Sequence, residues 1–265
     1  MADNLNQITE LVLDVLYSST QRDKIRLEIE YVDDMYKRRL ELARNDKEKE
    51  DIEANVKSFI KGLNGTMVLP GTKDGVHYIL ISKAILNEKY FMGTIIHELT
   101  HIYDFMDFAS EFCDGNYESL ESHHLFEIFC CWTEFNARRN GYSYYRKILF
   151  RIAGMSPDFS IEEQLDDILN KELKFHYEYL LKEIRENKNN MRVYVYNIIQ
   201  FMGRFSIWED LFPDKINSHD YLPDYLQNNY GPRIIELYET FHSMVNFDIA
   251  KGKLEQLESL MDSLF

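Results

Sequence analysis

One pentapeptide constrains this chain more than anything else in it: His97-Glu98-Leu99-Thr100-His101, with uncharged flanks Thr94–Ile96 and Ile102–Tyr103. Residues four apart lie one turn apart on the same face of a helix. His97 and His101 can therefore offer two imidazole nitrogens to one metal ion. Glu98 is offset by one residue and reaches a water on that metal without being a ligand. Zinc hydrolysis needs two helical ligands, a third from elsewhere, an open position and a nearby base. With 8 His in 265 residues and an acid-rich composition, a bare H-E-x-x-H arises by chance in about a few per cent of such chains. The competing explanation is an ordinary solvated helix. The uncharged flanks argue against it, because a charge there would be buried where the helix packs on a core.

The rest of the composition narrows the fold. An apolar fraction of 45% is ample for a core, and only 5 Pro and 11 Gly favour helices over an all-β architecture. The net charge of −15 repels nucleic acid and anionic lipid, so neither is expected as a partner. Met1–Leu5 has no basic stretch leading into an apolar run, and no segment approaches the roughly 20 apolar residues of a membrane span. Three cysteines, Cys113, Cys130 and Cys131, read as reduced thiols in a cytoplasm. Nothing in the sequence sets an oligomeric state.

Along the chain, residues 4–17 and 21–44 carry helical apolar spacing, the second less regularly (Ile25, Leu27, Ile29, Val32, Met35, Leu40). Ile52, Val56, Phe59 and Ile60 mark a further helical face, closed by Gly62 and Gly65. Thr66–Pro70 is a short strand, Gly71–Gly75 a turn, and Val76–Ile81 the best strand in the chain. His77 on that strand is read as structural or surface. The motif helix is expected to begin near Asn87 as N-cap, with an apolar stripe of Phe91, Ile95, Leu99, Ile102 and Met106. Leu99 lies about 200° around the helix from His97, so the stripe faces the core and the histidines face a cleft. Asp104 is placed to orient the His101 ring; an exposed helix charge is its plain alternative.

After the break at Asp114-Gly115-Asn116, a second helix is expected from about Glu118 to Asn140. It is apolar except at His123, His124, Glu127 and Glu134. A buried carboxylate needs a partner, and a metal is one. Glu134 is the preferred third ligand, because the small Ala137 one turn on permits close helix approach. Glu127, then His123 or His124, are the alternatives. Arg138 and Arg139 can pair with these carboxylates. Tyr142, Tyr144 and Tyr145 are weak candidates for donating a hydrogen bond to an oxyanion. Beyond Gly154 the chain reads as helical and chemically quiet. Ser160 and Glu163 form a capping box opening a helix through Leu173. Val193–Phe205, Ile207–Leu211, Pro223–Tyr230, Ile234–Val245 and Leu254–Leu264 are further helical segments. His176, His219 and His242 are lone residues, read as structural.

The His97-Glu98-Leu99-Thr100-His101 motif with Glu134 downstream resembles the gluzincin branch of zinc metallopeptidases. The order of strand, motif helix and Glu-x-x-Ala also looks like the ImmA/IrrE-type cytoplasmic metallopeptidases. The resemblance covers about residues 65–150, and the 33-residue gap from His101 to Glu134 is longer than in many gluzincins. It implies a zincin-like core at 65–150 with a small sheet on the motif helix; with the helical lead-in at 1–64 and the helical region at 151–265 that the apolar spacing predicts, the expected fold is α+β, predominantly helical, in one compact unit. It implies Val76–Ile81 as an edge strand binding extended substrate. It further implies Zn²⁺ held by His97, His101 and Glu134, Glu98 as general base, and a peptide or protein substrate. Two rivals come from other classes. One is a zincin fold acting as a regulatory or binding module with little hydrolysis. The other is a carboxylate-bridged di-iron bundle built on Glu98-x-x-His101 and Glu121-x-x-His124, whose 23-residue offset cannot hold the intervening helix such bundles need.

Overall fold

The computed structural model describes residues 25–56, 63–88, 90–153, 171, 173–186, 190–222, 226 and 231–265. It is a mostly helical α+β structure with one small sheet. Strand β1 (Leu27–Val32) leads into helices α1 (Met35–Glu41) and α2 (Asp46–Asp51) and a π-helical turn at Ile52–Val56. Strands β2 (Gly65–Val68) and β3 (His77–Ser82) complete a sheet of order β1-β3-β2. β1 runs parallel to β3 with Leu27 opposite His77, and β2 runs antiparallel with Gly65 opposite Ile81.

The stretch expected as a helix over 21–44 is thus, from Leu27, a strand followed by a short helix. Its sequence Leu-Glu-Ile-Glu-Tyr-Val alternates with period two, which places Leu27, Ile29 and Tyr31 beside the motif helix's apolar side and turns Glu30 toward Arg38. Val76–Ile81 is likewise not an edge. β3 is the central strand, because both of its faces are apolar: Ile79 and Ile81 pack toward the motif helix, while Leu80 packs with Val32, Met35, Ile52 and Val68 on the other side. The edge nearest the motif helix's Glu98 belongs to β2, where a Cβ on Gly65 would stand 3.3 Å from the Glu98 Cγ.

The motif helix α3 spans Phe91–Phe112 and follows a 3₁₀ turn at Lys83–Ile85 capped by Ser82. Asn87 does not cap it; Tyr90 occupies that position without a side-chain hydrogen bond. α3 ends where Asp114 and Gly115 take positive φ (51° and 77°) and the Gly115 amide donates back to Ala109, a left-handed stop that glycine makes cheap. A 3₁₀ turn (Tyr117–Ser122) precedes α4 (Phe126–Ala153), so the helix expected at 118–140 starts later and runs further. Helices α5 (Lys174–Glu186), α6 (Met191–Leu211), α7 (Ser218–Tyr221), α8 (Arg233–Ser243), α9 (Phe247–Ala250) and α10 (Leu254–Asp262) follow. α6 joins two segments read separately in the sequence. The segments expected at 4–17 and 160–170, and most of 223–230, lie outside the described residues. No described helix is long and apolar enough to cross a membrane.

The elements stack in layers, sheet on α3, α3 on α4, and α4 on α6. Ile95, Leu99 and Ile102 bury one side of α3 against the sheet. Phe105 and Phe108 fill the other side against Phe129, with ring centroids 5.0 and 4.3 Å away. The larger core continues through Trp132, Phe135, Phe205, Trp208 and Phe241. The histidine face of α3 is therefore covered by a second helix and does not line an open cleft.

Candidate metal centre

His97 and His101 project from α3 toward α4, and Glu134 projects back from α4 to meet them. The three side chains each offer a ligand atom, all within 4.8 Å of one another, and all three residues are buried. His97 Nε2 lies 3.1 Å from His101 Nε2. Glu134 Oε2 is 3.4 Å from His101 Nε2 and Oε1 is 3.8 Å from His97 Nε2. Donors bound to zinc at about 2.0–2.1 Å stand roughly 3.3–3.4 Å apart in a tetrahedral site, so this donor set fits a metal ion of that size.

The hydrogen bonds around the triad point the same way. Thr133 Oγ1 donates to Asp104 Oδ2 at 2.8 Å, so it accepts from His101 Nδ1 at 3.0 Å. That keeps a proton on Nδ1 and turns the Nε2 lone pair inward. Asn136 Nδ2 holds the same Asp104 carboxylate at 2.9 Å. The expected orienting role of Asp104 thus runs through Thr133. Gln200 Nε2, from α6, donates to Glu134 Oε1 at 3.0 Å, and Arg138 Nη2 stands 3.4 Å from the same oxygen. His97 Nδ1 is buried without a hydrogen bond of normal geometry.

Helix–helix approach makes this geometry reachable. The residue that permits it is Gly141, where a Cβ would run into the Gly93 carbonyl and fall 3.1 Å from His97 Cβ. Ala137 is fully buried at the same crossing. Gly141 sits inside α4, which runs on past the Asn140 expected as its end.

Charges in the site are strongly coupled. Burial alone would push Glu134 up, but His97, the His101 hydrogen bond and Arg138 together hold it at about 2. Burial lowers His101, yet the Glu134 hydrogen bond and charge outweigh it and raise the imidazole above its ordinary value. Burial, then the Arg138 charge, push His97 well down. In the metal-free triad these pulls favour an ionised Glu134, a second proton on His101 facing it, and a neutral His97. Glu98 is 8% exposed and beside the triad. Burial raises it to about 7, against the lowering pull of His101 and the nearby Met67 amide.

The other sequence candidates lie elsewhere. Glu127 is exposed, and seven helical residues put it about 10 Å from Glu134 along α4. His123 and His124 stack on each other at 4.6 Å, and His123 also packs on Phe112 at 4.8 Å. Glu121 and His124 are exposed, so the second di-iron half has no place in the site. His77 Nε2 bonds Tyr117 at 2.8 Å. Arg138 pairs with Glu134 as expected, but Arg139 pairs with Asp210 at 2.6 Å. Tyr142 packs edge-on against Trp208. The tyrosine that shares the field of Glu134 and Glu98 is Tyr196 on α6, also bonded to Gln200. Sequence reasoning missed Tyr196, Gln200 and Arg204; their only signal is polar residues recurring every fourth position on an otherwise apolar helix. Comparison with family models, curated proteins and solved structures finds no match, so the chemistry of the site rests on its own geometry.

Proposed function

We propose that this protein is a zinc-dependent metallopeptidase of the gluzincin kind, with His97, His101 and Glu134 as ligands and Glu98 as general base. The observation that carries the reading is the buried His₂Glu triad at metal-ligand spacing with a carboxyl of pKa about 7 one residue from the first ligand. A zinc ion there would supply a Lewis acid that acidifies water and polarises a carbonyl oxygen. Glu98 is then suited to both proton transfers, since a general base works best with a pKa near the operating pH. It takes a proton from the attacking water and returns it to the leaving amine. Thr133 and Asp104 keep His101 in its ligating tautomer, and Gln200 fixes the rotation of the Glu134 carboxylate. The strongly acidic composition suits a peptide substrate better than a nucleic acid.

The near closure of the site supports a second reading, a metal-dependent regulatory module with little turnover: the triad's side chains are only 10–11% exposed. Two measurements on purified protein decide. One zinc per protein molecule, with peptide cleavage lost in Glu98→Gln at unchanged zinc content, supports the peptidase. Zinc without cleavage in either protein supports the module, and cleavage undiminished in Glu98→Gln would sink the mechanism.

A further inference from the structure

Beside the triad, α6 presents Tyr196, Gln200 and Arg204, each one turn from the next. Gln200 is committed to Glu134. Arg204 is different. Arg38, Arg39, Arg44 and Arg139 each meet a carboxylate at 2.6–2.9 Å. Among the described residues Arg204 has no hydrogen bond or ion pair, although acidic groups outnumber basic ones 45 to 30 in this protein. The groups acting on it are the Arg138 guanidinium, Glu134, Tyr179 and Tyr196, and burial together with the Arg138 charge lowers it to about 9. The two arginines lie at the close crossing of α4 and α6. A Cβ on Gly203 would stand 2.9 Å from the Phe135 carbonyl and 3.0 Å from Arg138 Cβ. Arg138 also has its Nε buried without a partner.

A half-buried cation such as Arg204, without a counterion among the described residues, is costly unless a ligand completes it. The carboxylate acting on Arg204 is Glu134, and it is already shared among two histidines, Gln200 and Arg138. A divalent ion on the triad would leave this corner with an excess of positive charge inside a protein of net charge −15. Guanidinium groups bind planar oxyanions in a two-pronged fashion, and a tyrosine hydroxyl is a matching donor.

We propose that Arg204, with Arg138 and Tyr196, forms an anion subsite next to the metal centre that takes a carboxylate of the substrate. That the ligand is a substrate rests on the peptidase reading; the subsite itself does not. The carboxylate comes either from the C-terminal end of a peptide or from an acidic side chain next to the scissile bond.

Succinate and acetate titrated calorimetrically into the zinc-loaded protein test it without turnover. The expected result is that Arg204→Gln, matched to wild type in zinc content, binds succinate about 10–100-fold more weakly, with a smaller loss for acetate, which cannot reach the metal and the subsite at once. Arg204→Lys, which keeps the charge and loses the fork, falls between, and it serves alone if Arg204→Gln does not fold. Succinate affinity equal to wild type in the variant overturns the subsite. Peptide kinetics identify the source. A preference for free over amidated C-termini, or for Glu over Gln beside the cleaved bond, should appear in wild type and vanish in Arg204→Gln. An equal loss on charged and neutral peptides would instead assign Arg204 to the transition state and overturn the proposal. Arg204-dependent succinate binding without any cleavage keeps the subsite and removes the peptidase.

Discussion

His101 reaches the triad with its ring held from behind, Nδ1 donating to Thr133, which donates to the buried Asp104. Thr133→Val keeps the shape and breaks both bonds, so metal affinity measured by chelator competition should fall about 10–100-fold, while saturating metal still reaches one per molecule. The proton on His101 sets the pH dependence. Its pKa is raised from 6.5, His97 is held neutral and Glu134 ionised, so at pH below the His101 value loading a metal expels one proton. Affinity should therefore drop about tenfold per pH unit once the pH falls below the His101 value; a slope of two would mean that His97 is protonated as well. Glu98 behaves in the opposite sense to most carboxylates. Its folded pKa, about 7, stands above the ordinary 4.5, so its stabilising contribution is full below 4.5 and is lost as pH rises through 7. That loss is on the order of 3 kcal/mol for an isolated group. Glu98→Gln should raise the melting temperature of the metal-free protein at pH above 7 and change it little near pH 4.5. These residue-scale features were half legible in the sequence. Helical spacing brought out His97, Glu98 and His101, and a carboxylate in an apolar helix brought out Glu134. Thr133 carries no such signal, because a threonine in a helix is ordinary until something buried needs its hydroxyl.

At the scale of elements, the site depends on how closely α3 and α4 cross. Gly141→Ala drives a methyl into the Gly93 carbonyl, backbone against side chain, and neither can give by rotation. It should cost about 1–3 kcal/mol of stability and weaken metal binding together with it. Gly252→Ala, whose nearest neighbour is 3.9 Å away, is the control and should stay within about 0.5 kcal/mol; thermal unfolding of both with metal titration checks the pair. The existence of the motif helix and of two strands at 65–82 was readable from period and length. β1 was not, because a six-residue alternation inside a charged stretch also satisfies an irregular helical stripe. The central position of β3 follows from apolar residues on both faces, which a single strand shows but its neighbours must confirm.

Across the whole molecule, the triad ties the layer carrying the sheet to the helical body that contains Trp132, Phe135 and Phe241. A metal bound there stabilises the native state by mass action, about 4 kcal/mol at a thousandfold excess over its dissociation constant. Chelation should lower the melting temperature by several degrees, and zinc should restore it. Equal melting temperatures with and without chelator would mean that the triad holds no ion tightly. The molecule also concentrates its charge unevenly, with two guanidinium groups beside the triad of a strongly acidic protein.

By itself, the sequence determined what depends on near neighbours: two histidines and a carboxyl on one helix, an apolar stripe behind them, and a glutamate on a later apolar helix. Those relations follow from the 3.6-residue turn and need no knowledge of the fold. Tertiary structure alone decided which distant groups share the site. Gln200 meets Glu134 across 66 positions, and Tyr196 and Arg204 come with it on α6. No local period links such separations; the packing of α6 on α4 does, and it brings the Arg204 charge into the field of Glu134.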